Sequence, residues 1–429
     1  MKFNYDVDDK LPFFNNILFG FQWFLISIPN IIVPGKIVAY FQFGNNLVMQ
    51  TLYLQKLFFV SFIMFIIQIF FGHRLPLISG PAIVLMVGVI SVSQNDAASV
   101  YNSIALCGIL IFALSYTKYL SKFLKIFTKR IIAVVLMLIS FIILPGTIDL
   151  IVKIPDGVDG TTKLYFSITL IVLIFIFSKV LKGIWQNTVI VWTMLFGSLI
   201  YIYSFNPKID LYINDLQIVS NFFSNFNITP VFNMGIFIMV AICFFGLMIN
   251  DVGAMEVLNE LTNQSDKNFR IKRGLRITGA INIISGFLGV IGSCNFPNSA
   301  GVIAATKCAS RYTLVPCAIF FLILALSPIL ISIMNAIPPI IIGTVFLYIL
   351  CLIFSSGLYV LFDDGKMNFE NCLIIAFPVL LGTFIAFLPG SIIQPIPSMV
   401  RPILGSGLVM GVLMAIVMEH IVFRNKDKE

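Results

Sequence analysis

The chain has 429 residues, 59% of them apolar and 11% charged, with a mean hydropathy of +1.01. No soluble domain of that length can hide so much apolar surface, so composition excludes a soluble fold and describes a polytopic membrane protein. The formal charge of +8 invites a nucleic-acid partner, but the placement of the basic residues argues against one.

Met1 to Lys10 is acidic and polar and does not read as a cleavable signal peptide. Beyond it, apolar runs between polar breaks predict an all-α architecture of about fourteen transmembrane segments. They lie near 14–34, 47–71, 76–93, 98–117, 131–151, 164–180, 185–204, 231–250, 275–292, 298–309, 313–335, 338–361, 371–388 and 402–423. If the N-terminus starts inside and the segments alternate, the inside loops collect about 21 of the 27 basic residues. These include Arg74, Lys118 to Arg130, Lys267 to Arg276, Lys307, Arg311, Lys366 and Arg424 to Lys428. Outside loops keep only Lys36, Lys153, Lys163, Lys208 and Arg401. This bias predicts a multi-pass protein of the cell membrane with both termini cytoplasmic. It makes the charge a matter of topology and anionic lipid, with no nucleic acid.

The tenth segment organises the chain. Gly292-Ser293-Cys294-Asn295-Phe296-Pro297-Asn298-Ser299-Ala300-Gly301 is polar and carries a proline between two long apolar runs. About a dozen residues remain for a helix before Lys307, or about 18 Å at 1.5 Å per residue, against a hydrocarbon core of about 30 Å. The stretch therefore reads as extended up to Pro297 and helical after it. Irregular backbone survives in a membrane only when buried in protein or lining a wet cavity, so the break is a binding-site candidate; a re-entrant packing kink is the plainer reading. The third segment, Arg74-Leu75-Pro76-Leu77-Ile78-Ser79-Gly80-Pro81-Ala82-Ile83-Val84, has the same extended start and short helix.

Segments three and ten are seven positions apart. An odd interval inserts the two halves in opposite orientation, the pattern of a seven-plus-seven inverted-repeat transporter. The expected division is a first repeat over 1–205, an extracytoplasmic linker over 206–230 and a second repeat over 231–429. Two facing half-helices would aim their positive ends at one midplane cavity. The seven cysteines show no CxxC spacing and read as packing residues, and two separated histidines cannot form a metal cluster alone.

Several stretches, in order, resemble the nucleobase–ascorbate transporter family, the xanthine/uracil permeases. Gly72-His73-Arg74-Leu75-Pro76-Leu77 with Ser79-Gly80-Pro81-Ala82 is similar to that family's entry to segment three. Asn298-Ser299-Ala300-Gly301 through Thr306-Lys307 resembles its segment-ten signature, and Asn250-Asp251-Val252-Gly253 its segment-eight Glu-x-x-Gly. Ile337-Pro338-Pro339 through Gly343 and Pro402 through Gly411 resemble its segments twelve and fourteen. The resemblance implies a core domain of segments 1–4 and 8–11, a gate domain of segments 5–7 and 12–14, and short strands before the half-helices of segments three and ten. It implies substrate bound between core and gate, no cofactor, and dimerisation through the gate.

The departures fall at the site. The segment-eight acid that holds the base is Asn250, the residue opening the segment-ten signature is Asn298, and its next position is Ser299. A segment-nine acid before Gly279 is Thr278, and the stacking aromatic after Gly80 falls at Ile83. In segment one, the family's Gln-His pair falls at Gln22-Trp23 or Phe21-Gln22. Asn250 and Asn298 can offer a donor and an acceptor to a planar amide edge, but neither takes up a proton. Asp251 is the one acid beside this expected site and the candidate for ion coupling; the alternative makes it an end-of-helix residue paired with a base. The expected function is a secondary-active permease for a nucleobase, coupled to a proton or sodium ion. A small-anion permease or an uncoupled facilitator of the same fold is the alternative. An intramembrane enzyme would need clustered His, Asp or Glu, which the apolar segments lack.

Overall fold

The structure is a computed structural model that describes residues 3–44, 46–90, 92, 96–117, 128–153, 157–207, 231–297, 299–362, 369–393, 395–397 and 400–423. Helices dominate. In chain order they are α1 (Phe13–Phe43), α2 (Leu47–Phe70), α3 (Ile83–Ile90), α4 (Ala97–Leu114), α5 (Lys129–Val152), α6 (Gly160–Val180), α7 (Val189–Phe205), α8 (Met234–Leu261) and α9 (Lys267–Leu288). They continue with α10 (Ser299–Thr306), α11 (Leu314–Leu326), α12 (Pro328–Asn335), α13 (Pro339–Phe362), α14 (Phe369–Ala386) and α15 (Gly407–Val417). Strand β1 (Ile78–Pro81) precedes α3, and β2 (Ser293–Phe296) precedes α10. Eight of the described helices are long and apolar enough to cross a membrane. A ninth span results if Arg311–Leu326 and Pro328–Asn335, bent by 88° at Ser327, are one. The chain is a multi-pass membrane protein.

Element bounds differ from the expected segments where polar residues lie inside a helix. The first segment was expected to stop at 34, with Lys36 in an outside loop. Instead α1 continues through Pro34 to Phe43 and buries Lys36. Lys163, expected in an outside loop, is buried in the first turn of α6. The eighth segment was expected to end at 250, but α8 runs to Leu261, so Asn250 and Asp251 sit well inside it. Hydrogen bonding explains this: Asn233 caps the helix by accepting from Gly235 and Ile236 N–H, and Asn250 and Asp251 both bond to Asn295 within the protein. The eleventh segment is two helices, broken where the Ser327 hydroxyl caps α12 and Pro328 takes its first position. Asn298, residues 208–230 of the expected linker, Lys366 and the basic residues Lys118, Lys122, Lys125, Arg424, Lys426 and Lys428 lie outside the described residues.

Packing gathers the helices into two neighbourhoods. In one, α2 lies on α11, α4 on α9, α1 on α2 and α11, and α8 on α3, α4 and β2. In the other, α5 packs on α13, α14 and α15, and α6 and α7 pack on α13. The α4–α9 contact is a backbone-to-backbone approach. A Cβ on Gly279 would stand 2.7 Å from the Phe112 nitrogen, and one on Gly108 would stand 2.8 Å from the Gly279 oxygen. Small residues permit that approach, and dispersion holds it where lipid offers no hydrophobic drive between helices.

At the centre, β1 and β2 pair antiparallel, with Ile78 opposite Phe296, Ser79 opposite Asn295, Gly80 opposite Cys294 and Pro81 opposite Ser293. Two four-residue strands cannot satisfy all their polar groups on each other, and hydrocarbon supplies no water to finish the task. Side chains from the surrounding helices complete it.

Candidate functional site

The strand pair is held by polar residues on α8 and α9. Asn250 Nδ2 donates to the Asn295 carbonyl at 2.9 Å and points at Cys294 Sγ, 3.5 Å away. Asp251, the next residue, takes the other side of the same strand. Its Oδ1 accepts from the Asn295 backbone N–H at 2.7 Å and from Asn295 Nδ2 at 2.6 Å. Two neighbours on one helix thus satisfy the carbonyl and the N–H of a single strand residue. Asp251 is fully buried, and its Oδ2 accepts from the Thr278 hydroxyl at 2.7 Å. Thr278 in turn accepts from Gln68 Nε2 at 3.2 Å, which links α2, α9, α8 and β2 in one chain of hydrogen bonds.

Asn282, one turn beyond Thr278, secures the start of β2. Its Nδ2 donates to the Ser293 carbonyl at 3.0 Å, and its Oδ1 accepts from the Ser293 N–H at 3.1 Å. A Cβ at Gly292 would displace Asn282 Oδ1 from its place beside the Ser293 N–H. The Ser79 hydroxyl donates to Asn295 Oδ1 at 2.7 Å across the pair. Ser299 Oγ accepts from the Ile78 N–H at 2.8 Å and donates to the Phe296 carbonyl at 2.9 Å, so it joins the first turn of α10 to the far strand. The antiparallel pairing starts α3 and α10 at opposite ends of the sheet. Their first-turn N–H groups, which have no helical acceptor, flank the pair.

The structure therefore brings Asn250, Asp251, Gly80 and Ser299 to one strand pair. Gly80 is buried; a Cβ there would lie 3.0 Å from the Phe296 ring and 3.3 Å from the Ile31 side chain. Ile83 opens α3 two residues beyond the strand and is half-buried. Gln22 is not brought to the strands by any hydrogen bond. It precedes Trp23, whose indole N–H donates to Thr313 at the start of α11 at 3.0 Å. Ile31, the α1 residue beside Gly80, lies nine positions away, about 14 Å along the helix. Gln22 is buried, and its Nε2 has no partner among the described residues. Gln68 also donates to Gly274 O at 3.0 Å, which bonds α2 to α9 a second time. Among the described residues, Asp251 pairs with no base, and it lies inside α8, not at its end.

Sequence reasoning missed Asn295, Asn282 and Cys294. Thr278, Asn282 and Ser285 recur on one face of α9 at helical spacing, and that signal alone marks a polar seam in an otherwise apolar segment.

A broken helix pair, meeting as strands inside a membrane bundle and lined by amides and hydroxyls, defines a solute carrier. A family model described as "Permease family", that of the xanthine/uracil permeases, matches residues 14–391. The chain belongs to this family, and it is a permease, not an enzyme. It is 22% identical over 361 residues to the xanthine permease of Bacillus subtilis (strain 168), covering 82% of this chain and 80% of that one. It is 21% identical over 373 residues to the uric acid permease PucJ of the same organism, covering 84% and 81%. Its fold is similar to the transmembrane domain of a cyanobacterium bicarbonate transporter, BicA, with a TM-score of 0.64 at 17% identity, covering 89% of this chain and 98% of that chain.

Proposed function

We propose that the chain is a secondary-active permease that carries a nucleobase of the uracil, xanthine or purine class by alternating access. The observation that carries the reading is the strand pair with Asn250 beside it, in a chain whose relatives are xanthine and uric acid permeases. Asn250 has its nitrogen committed to Asn295 and Cys294, which leaves Oδ1 to accept an N–H from the base edge. The N-terminal amides of α3 and α10, at Ile83 and at Ser299, are donors for its carbonyl oxygens. Gly80 keeps the strand close to α1.

Fourteen spans in two inverted repeats, 1–205 and 231–429, fit the exchange of contacts between halves. α1 packs on α11 while α8 packs on α4, and α2 packs on α11 while α9 packs on α4. The two packing neighbourhoods support a core of segments 1–4 and 8–11 and a gate of segments 5–7 and 12–14, moving past one another with substrate between them. A homodimer through the gate and cytoplasmic termini complete the proposed arrangement.

Coupling to a proton rests on Asp251. Its link to Thr278 is reversible in polarity, because a hydroxyl can donate to the carboxylate or accept from the carboxylic acid. Protonation at Oδ2 therefore keeps the 2.7 Å contact while it removes a buried charge beside β2. The saturation of the same carboxylate by Asn295 and Thr278 favours a second reading, an uncoupled facilitator in which Asp251 only holds the strand.

Uptake of radiolabelled uracil, xanthine, hypoxanthine and adenine into proteoliposomes, with and without a proton gradient, tests both readings. We expect gradient-driven accumulation by the native protein. Asp251→Asn, which imitates the protonated acid, should lose accumulation and keep exchange. Uptake indifferent to gradient and mutation indicates the facilitator. No uptake of any base by folded protein discards the nucleobase reading in favour of a small anion.

A further inference from the structure

Lys36 is the sole charged residue of α1, and it is buried. No carboxylate pairs with it among the described residues. Its Nζ donates instead to two backbone carbonyls, Asn335 O at 2.7 Å and Ile337 O at 2.9 Å. Asn335 ends α12, whose last carbonyls have no helical donor, and a cation there also meets the negative end of the helix. An ammonium withdrawn from water without a counter-charge is costly, so its place calls for a role beyond packing.

That place is a connector. α12 is the bent continuation of α11 and packs on α2, in the neighbourhood that contains the strand pair. Residues 336–338 follow, and α13 begins at Pro339 and packs on α5 in the other neighbourhood. Asn335 is fixed a second time, by Nδ2 donating to Thr51 of α2 at 3.0 Å. Lys36 thus reaches from the helix that packs on β1 to one carbonyl at the end of α12 and one inside the junction. Gly35 beside it lets α1 press onto α2, since a Cβ there would stand 2.7 Å from Leu54 and Leu57.

We propose that Lys36 is a positioning residue for transport. Its ammonium fixes the connector through which the strand-pair body passes the chain to the α5–α13 body, and so sets the path along which the two change their relation. The inference rests on the alternating-access reading above. It separates rate from affinity, because Lys36 touches the hinge and not the strands.

The experiment compares Lys36→Met and Lys36→Arg with the native protein in proteoliposomes. Equilibrium binding of radiolabelled xanthine, initial uptake rate and backbone hydrogen exchange over 333–341 are read together. Lys36→Met is expected to bind within about twofold of native while uptake slows about tenfold, as the loss of charge-assisted hydrogen bonds at a moving junction requires. Lys36→Arg, which can still donate to both carbonyls, recovers most of the rate. Exchange over 333–341 quickens in Lys36→Met and returns in Lys36→Arg, and this readout needs no substrate. Native uptake by Lys36→Met, unchanged exchange, or binding lost in step with rate in both variants overturns the proposal. Absence of xanthine binding by the native protein discards the substrate reading alone, and the exchange result then decides for or against Lys36.

Discussion

At the scale of single residues, the site is a problem of satisfying one strand residue. Asn295 uses its N–H, carbonyl, amide nitrogen and amide oxygen, with Asp251, Asn250, Asp251 again and Ser79 as partners. Asn295→Ala strips Asp251 of one donor and leaves Ser79 without its acceptor. We expect a loss of about 2–3 kcal/mol, since a hydrogen bond to a charged group is at stake, visible as a lower melting temperature in detergent. Asp251→Ala in the same chain should cost less than the sum of the two single changes, because the orphaned carboxylate leaves with its partner. Strict additivity would mean that the network is not shared. Asn250 and Asp251 were legible from their motif. Asn295 was not, because its partners lie 44 to 216 residues away in sequence and nothing local names them.

At the scale of elements, the break in the third and tenth segments was legible and the polar seam of α9 was not. Pro76, Pro81 and Pro297 deny donors, and too few residues remain for a full span, so strand-then-helix follows from length and chemistry. α9 was read as an ordinary segment starting at 275; it starts at Lys267 and carries its basic residues inside its first turns. Its closeness to α4 depends on Gly279, where a leucine must displace the backbone around Phe112. Gly279→Leu is expected to destabilise by about 1–3 kcal/mol or more and to shift Thr278 away from Asp251. Reduced monodispersity on size exclusion and loss of base binding would report it. A fully active, stable Gly279→Leu variant would show that α4 and α9 can separate without moving the site.

At the scale of the whole molecule, the basic loops lead us to expect cytoplasmic termini, and the orientation can be read directly. In a Cys372→Ser background, which removes an exposed native thiol, Thr161→Cys should react with a membrane-impermeant maleimide on intact cells. Ser265→Cys, in the turn between α8 and α9, should react only after permeabilisation. The opposite result would invert the topology and place both termini outside. Family membership over residues 14–391 assigns the molecule to the permeases, and the likeness to BicA concerns the fold alone.

Composition and periodicity determined what kind of molecule this is. Apolar length sets membrane spans, and proline with glycine sets the two breaks, because each is a local property of the chain. The tertiary structure decided which polar groups meet. Only there does Asp251 find Asn295 and Thr278, and Lys36 find the end of α12. Those choices depend on helix rotation and on the paths of segments far apart in sequence. A buried polar group in lipid must take whichever partner that geometry supplies.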